Sequence, residues 1–253
     1  MKRKTIVFII CASLGIFSGL SFGQNLLIKN GTILTVTKGT LPKGDILIIG
    51  GIIKQVGENI PAAEGVKVID ASGKYVIPGI IDSHTHIALA GTNEGGDAIT
   101  CEVKMRDVLN AEDPSIYTAL SGGVTTIHTM HGSANPIGGE NIVLKMKWGK
   151  TPEEMVVGEA YRTLKFALGE NPKQANRFGP TTEEPRYPQS RMGVNAIIRR
   201  EFLRAKNYME EWDRYLKAKK SKNPPKNLIP PRKDLKLEAL ADMLRGKMVA
   251  RCH

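Results

Sequence analysis

Pro78-Gly79-Ile80-Ile81-Asp82-Ser83-His84-Thr85-His86 is the stretch on which the reading of this chain turns. It closes a run, residues 75–87, that is apolar on both faces up to Ile81, the texture of a buried parallel strand. Residues i and i+2 of a strand project to the same side, so His84 and His86 present two imidazoles together. Two ionisable rings converging at a buried strand end are costly unless something coordinates them. Imidazole nitrogen suits Zn, Fe or Ni, with the missing ligands supplied by later strands. The plainer alternative is a pair of structural histidines at a polar strand end.

Upstream, residues 26–29, 32–36, 45–49, 52–56 and 66–69 are short β-rich runs separated by Asn30-Gly31, Lys43-Gly44, Gly50-Gly51 and Ser72-Gly73, which are hairpin and turn signals. They predict a compact antiparallel β unit over residues 24–77. Downstream, helical and strand-like stretches alternate: residues 112–120 lead into 124–130, 152–161 into 164–168, and 235–244 into 247–253. Alternation of this kind implies an α/β fold with a parallel sheet or a barrel. Residues 132–140, rich in Gly, read as a loop at the functional face, where substrate loops sit.

The chain of 253 residues is 41% hydrophobic and 24% charged, which excludes wholesale disorder, collagen and coiled coil. Lys2, Arg3 and Lys4 precede an uncharged apolar run, residues 6–20, and Ser21-Phe22-Gly23 offers a cleavage site, so residues 1–23 are read as an export signal. The run is short for a bilayer span, and none of spanning length follows. A periplasmic or extracellular protein beginning at Gln24 is expected. Three cysteines are too few for a disulfide scaffold, and the sequence leaves open whether Cys101 and Cys252 pair.

The formal net charge of +11 is unevenly spread: residues 199–236 hold 13 basic and 5 acidic residues. Within that segment Ile198, Phe202, Ala205, Met209, Trp212 and Leu216 recur at helical spacing, which predicts an amphipathic helix with a solvated basic face. No aromatic interleaving or binding motif accompanies the charge, so no nucleic-acid partner is expected. Residues 221–231, with four prolines, are a loop.

The β unit, the Pro-Gly-Ile-Ile-Asp-Ser-His-Thr-His strand and Gly123-Val124-Thr125-Thr126 on the next strand together resemble the amidohydrolase superfamily, in its imidazolonepropionase-like and dihydroorotase-like branches. The resemblance covers residues 26–253. It implies a metal-dependent (β/α) TIM-type barrel, preceded by a small β-sandwich unit, in which metal-activated water attacks the carbon of a C–N bond. The family adds a carboxylated Lys or a Glu on a middle strand, and Leu164-Lys165-Phe166-Ala167-Leu168-Gly169-Glu170 offers both. Strand alternation turns Leu164, Phe166 and Leu168 toward outer helices and Lys165 inward, which favours Lys165 over Glu170.

His253 ends a strand at the position of the family's third His, so the implied ligands are His84, His86, Lys165 and His253, around one or two divalent ions, most readily Zn. The family's general-base Asp has no counterpart before His253. The chain is accordingly expected to be an N-terminal half-barrel, inactive by itself, with that Asp beyond its C-terminus. His131 and Asn135, in the Gly-rich loop, are the candidate substrate contacts; His128, Asn93 and Glu94 are weaker ones. The expected activity is hydrolysis of C–N bonds other than ordinary peptide bonds, in a small cyclic amide or imide. The alternatives are a prolidase-like metallo-dipeptidase and a non-catalytic exported protein that binds through its basic helix.

Overall fold

The computed structural model describes residues 25–174 and 186–253. The export signal expected over residues 1–23 lies outside the described residues. The chain forms two compact units, divided between Pro78 and Gly79.

The first unit is a mixed sheet of five strands: β1 (Leu26–Leu34), β2 (Thr40–Ile49), β3 (Ile52–Gly57), β4 (Lys67–Asp70) and β5 (Tyr75–Val76). Strands β1 to β3 form an antiparallel meander, but β4 and β5 both return to the free edge of β1 in parallel, which corrects the expectation of an antiparallel unit. Gly50 and Gly51 have φ of 59° and 78°, as the tight turn between β2 and β3 demands. Asn30-Gly31, by contrast, is no turn. It is an irregularity inside β1, with Asn30 at φ 61° and the register shifting on either side of Gly31. A Cβ on Gly31 would sit 2.7 Å from Val76 Cγ2.

The buried Asp45 serves this irregularity. Its carboxylate accepts the Asn30 N–H (2.9 Å) and the Ile60 N–H (2.8 Å), with Lys29 Nζ at 3.6 Å. Burial would raise its pKa, but those bonds and the Lys29 charge prevail and hold it below the ordinary carboxylate value.

The second unit is a five-stranded sheet in the order β10-β9-β8-β7-β6, built from β6 (Ile80–Thr85), β7 (Val124–Thr129), β8 (Ile137–Lys145), β9 (Arg162–Phe166) and β10 (Met248–Cys252). β6 runs parallel to β7 and β9 to β10, while β8 runs antiparallel to both its neighbours. The sheet is therefore mixed, where the sequence predicted parallel strands alone. β8 was hidden by Gly138-Gly139, which reads as loop. The glycines answer to packing instead, since a Cβ on Gly138 would lie 2.6 Å from His131 Nδ1 and one on Gly139 2.7 Å from Val103 Cγ2. The run over residues 75–87 is likewise two strands, β5 and β6, parted at Ile77–Gly79.

Five α-helices accompany these strands among the described residues: α1 (Pro114–Ser121), α2 (Pro152–Met155), α3 (Asn171–Gln174), α4 (Arg191–Lys219) and α5 (Leu235–Leu244). Asp113 caps α1 by accepting from Ser115 N. The helix expected over residues 152–161 stops at Met155 despite a Thr151/Glu154 capping box, because Val156 bridges back to Leu144 of β8.

Leu164, Phe166 and Met248 join Ile197, Ala205, Leu237 and Leu240 in the larger core, with the Phe166 and Phe202 rings stacked at 6.2 Å. One face of β9 and β10 thus carries α4 and α5, and the other is left for the polar side chains between. The α4 stripe is turned slightly from the predicted one: Val194, Ile197, Glu201, Ala205 and Tyr208 are buried, and Ile198, Phe202 and Trp212 flank them. Hydropathy could not reveal Glu201, a buried carboxylate paired with Arg200 and Arg204. Cys101 and Cys252 are free thiols, the first buried and the second exposed. No helix among the described residues is long and apolar enough to cross a membrane.

Candidate functional site

The strand ends of β6, β9 and β10 bring four of the singled-out side chains together. In β6, three steps from Asp82 to Thr85 oppose two from Ile127 to Thr129 in β7, a bulge that re-aims the strand at His84. Asp82 Oδ1 accepts the His84 N–H at 3.0 Å and steadies the bulge. The rings of His84 and His86 meet edge to face with centroids 5.2 Å apart, and those of His84 and His253 do the same at 5.2 Å. Lys165, only 1% exposed, reaches from β9 to place Nζ 3.1 Å from His84 Nε2.

Each imidazole is oriented by a neighbour. His86 Nδ1 lies 2.8 Å from the Met130 carbonyl oxygen, which accepts and so fixes the proton on Nδ1. His253 Nδ1 lies 2.8 Å from Ser133 Oγ, and the main chain of His253 is tied to β9 through Phe166 O and Leu168 N. With its proton on Nδ1, His86 keeps the lone pair of Nε2 free to accept or to ligate. Burial, then the charge of Lys165 and the neighbouring His86 and His253, lower the His84 pKa below the ordinary imidazole value. Burial also lowers Lys165. No three His, Cys, Asp or Glu side chains among the described residues converge closely enough to hold a metal ion by themselves.

Glu170 borders this cluster at His253, but its carboxylate is engaged with cations. It is paired with Lys173 at 2.7 Å and Arg191 at 3.5 Å, and lines a shallow hollow beside His253. His131 and Asn135 are fully buried and bonded to the loops around them, with Asn135 Oδ1 left without a partner among the described residues. His131 Nε2 accepts the Glu94 N–H at 2.9 Å and Nδ1 lies 2.9 Å from Gly132 O. Asn135 Nδ2 donates to Glu94 O and Asp97 O at 2.8 and 2.6 Å. The physical reason is the close approach of two loops, residues 91–97 and 132–136, whose main-chain groups need partners once water is excluded.

His128 is buried too, with Nε2 2.8 Å from Thr163 Oγ1, which also accepts from Asn141 Nδ2 at 3.1 Å. Arg186 was missed by the sequence reading. Its guanidinium donates to Gly95 O, Asp97 O and Ala134 O at 2.5 to 2.6 Å, clasping the same two loops. A lone Arg many residues away in sequence carries no local signal of that role.

No family model matches the chain. It is 32% identical over 233 residues to the amidohydrolase tasK of Hapsidospora irregularis, covering 83% of this chain and 23% of that protein. To a dihydroorotase of Thermoanaerobacter sp. (strain X514) it is 37% identical over 124 residues, 49% of this chain and 25% of that one. To a dihydropyrimidinase of Dictyostelium discoideum it is 48% identical over 64 residues, 25% of this chain and 12% of the other. The crystal structure of an amidohydrolase from Thermotoga maritima MSB8 superposes with a TM-score of 0.76 at 36% identity, over 90% of this chain and 57% of that one. The chain thus spans about a quarter of the first two relatives. The mixed sheet with α4 and α5 on one face is part of an α/β barrel of the TIM type, preceded by a β unit.

Proposed function

Because the chain belongs to the amidohydrolase superfamily, we propose that the protein is an exported, metal-dependent hydrolase of C–N bonds in a small cyclic amide or imide. The observation that carries this reading is the placing of the His84 ring beside those of His86 and His253, with the buried amine of Lys165 3.1 Å from His84 Nε2. The relatives named dihydroorotase and dihydropyrimidinase support a cyclic substrate class. Export rests on the leader pattern of residues 1–23.

By the chemistry of its donors, though not by their present spacing, the set suits a divalent cation of the zinc type. Three imidazoles are nitrogen donors of the right kind, and Met130 O and Ser133 Oγ are the outer partners that fix ligating histidines in orientation. When bound, the cation polarises the substrate carbonyl and lowers the pKa of water so that hydroxide is available near neutral pH. Lys165 as an amine is the misfit: a buried ammonium beside imidazoles, with His84 Nε2 as acceptor, is poorly compensated. Carboxylated, its side chain becomes an anionic oxygen donor at the same place, and the clash of like charges disappears. Glu170 is the weaker candidate, since its carboxylate is already committed to Lys173 and Arg191. His131, Asn135 and Arg186 shape the mouth by holding its loops.

The test is the double variant His84→Ala, His86→Ala of the intact parent protein, with metal content and hydrolysis of a cyclic amide and imide panel measured together. Both should fall to background, and isotope-labelled bicarbonate should give a carbamate signal that Lys165→Ala abolishes. Unchanged metal stoichiometry in the double variant refutes the proposal and leaves a non-catalytic exported scaffold.

A further inference from the structure

The end of α4 and the loop that follows carry a charge the site does not use. Residues 214–233 contain eight Lys and Arg and no Asp or Glu, although Glu210, Glu211 and Asp213 lie just before them. All eight are exposed. None is ion-paired among the described residues; Lys219 lies over the Tyr215 ring, 5.9 Å from its centroid. At 100° per residue, Lys217, Lys219 and Lys220 surround the last turn of the helix rather than sharing one side. A helix C-terminus favours cations within its last turn. That accounts for these lysines but not for Lys222, Lys226, Arg232 and Lys233 in the loop.

The same tip exposes aliphatic side chains. Ile229 is 81% exposed and Leu216 43%, in a loop stiffened by Pro224, Pro225, Pro230 and Pro231 that folds back along Tyr215 and Ala218. Ile229 shares a hollow with Glu211, Arg214, Tyr215 and Ala218, and an exposed aliphatic side chain within a segment of unpaired cations matches a surface whose outer layer is anionic and whose next layer is apolar. We propose that this tip docks the protein on the anionic surface of a lipid bilayer, with the cations at the headgroups and Ile229 seated at the acyl boundary. Single-stranded nucleic acid fits less well. It needs exposed rings for stacking, and here Trp212 and Tyr215 are half-buried and packed on each other at 5.8 Å. A second copy of the tip would be repelled by its own charge. The inference is independent of the hydrolase reading.

The experiment is co-sedimentation of the full chain with phosphatidylcholine vesicles, with and without phosphatidylglycerol, at low and high salt. Binding should require the anionic lipid and fall as salt rises. The variant Lys217→Glu, Lys219→Glu, Lys220→Glu, Lys222→Glu should bind more than tenfold more weakly, since each cation near such a surface contributes about fivefold. Ile229→Ser should weaken binding severalfold at unchanged salt dependence. If the reversal variant does not fold, as judged by circular dichroism, Lys222→Gln with Lys226→Gln gives the same readout with a smaller effect. Equal binding to neutral vesicles, binding unaltered by the charge variants (as an N-terminal apolar segment would give), or binding to oligonucleotides alone would each overturn the proposal.

Discussion

Acid should destabilise the barrel unit through His128. This ring is 5% exposed on β7, with Nε2 against Thr163 Oγ1. Burial, then the charges of Arg251, His84 and Lys165, lower its pKa from 6.5 to about 4. The folded chain therefore keeps the ring neutral while the unfolded chain takes up a proton as soon as the pH drops below the free value. The contribution to stability is fully present above pH 6.5, declines as pH falls, and has been lost once pH passes below about 4. At roughly 1.4 kcal/mol per tenfold, that gap corresponds to about 3 kcal/mol, which is large against the ~5–15 kcal/mol that holds a domain together. His128→Gln keeps an amide to pair with Thr163 and has nothing to titrate. Urea unfolding followed by the fluorescence of Trp148 and Trp212, between about pH 7 and about pH 4, should show a shallower acid limb for the variant. Its slope should fall by up to about one proton. A residual slope is expected, because burial also lowers His131. Superimposable acid limbs for the two proteins would refute the reasoning.

In the β unit, Asp45→Asn should cost about 2–4 kcal/mol by weakening the bonds to Asn30 N and Ile60 N. Hydrogen exchange at those amides should then quicken by about a hundredfold; unaltered protection would show that the carboxylate is dispensable. The lowered pKa of Asp45 makes its contribution present above about pH 4 and lost as pH falls further, a limb the Asn variant should lack. Gly79→Ala should destabilise the second unit by about 1–3 kcal/mol, since its Cβ would fall 2.2 Å from Thr125 Oγ1 and 2.4 Å from Cγ2. Adding Thr125→Ala should recover part of that loss in the urea midpoint, and no recovery would place the cost elsewhere.

Much of the site's skeleton follows from local pattern. Leu164 and Phe166 flank Lys165, so alternation places the amine opposite the helix-covered face, and the spacing of His84 and His86 two apart near a strand end anticipates a pair that the bulge in β6 then positions. The turn at Gly50-Gly51 and the helices α1 and α5 are equally local, specified by residues within a few positions of one another. The resemblance to a barrel family rested on such short stretches as well.

Other features are decided only where distant segments meet. Asn30-Gly31 has the chemistry of a hairpin turn, and it becomes an irregularity inside β1 because Asp45, Val76 and Ala71 converge on it. Gly138-Gly139 has the chemistry of a loop, yet it belongs to an antiparallel strand because the His131 ring and Val103 leave no room for a Cβ. The engagement of His131 and Asn135 with Glu94, and the clasp of Arg186 on three carbonyls, join groups dozens of residues apart. A main-chain group excluded from water takes whichever partner the fold brings near, and no residue type or spacing along the chain records which one that will be.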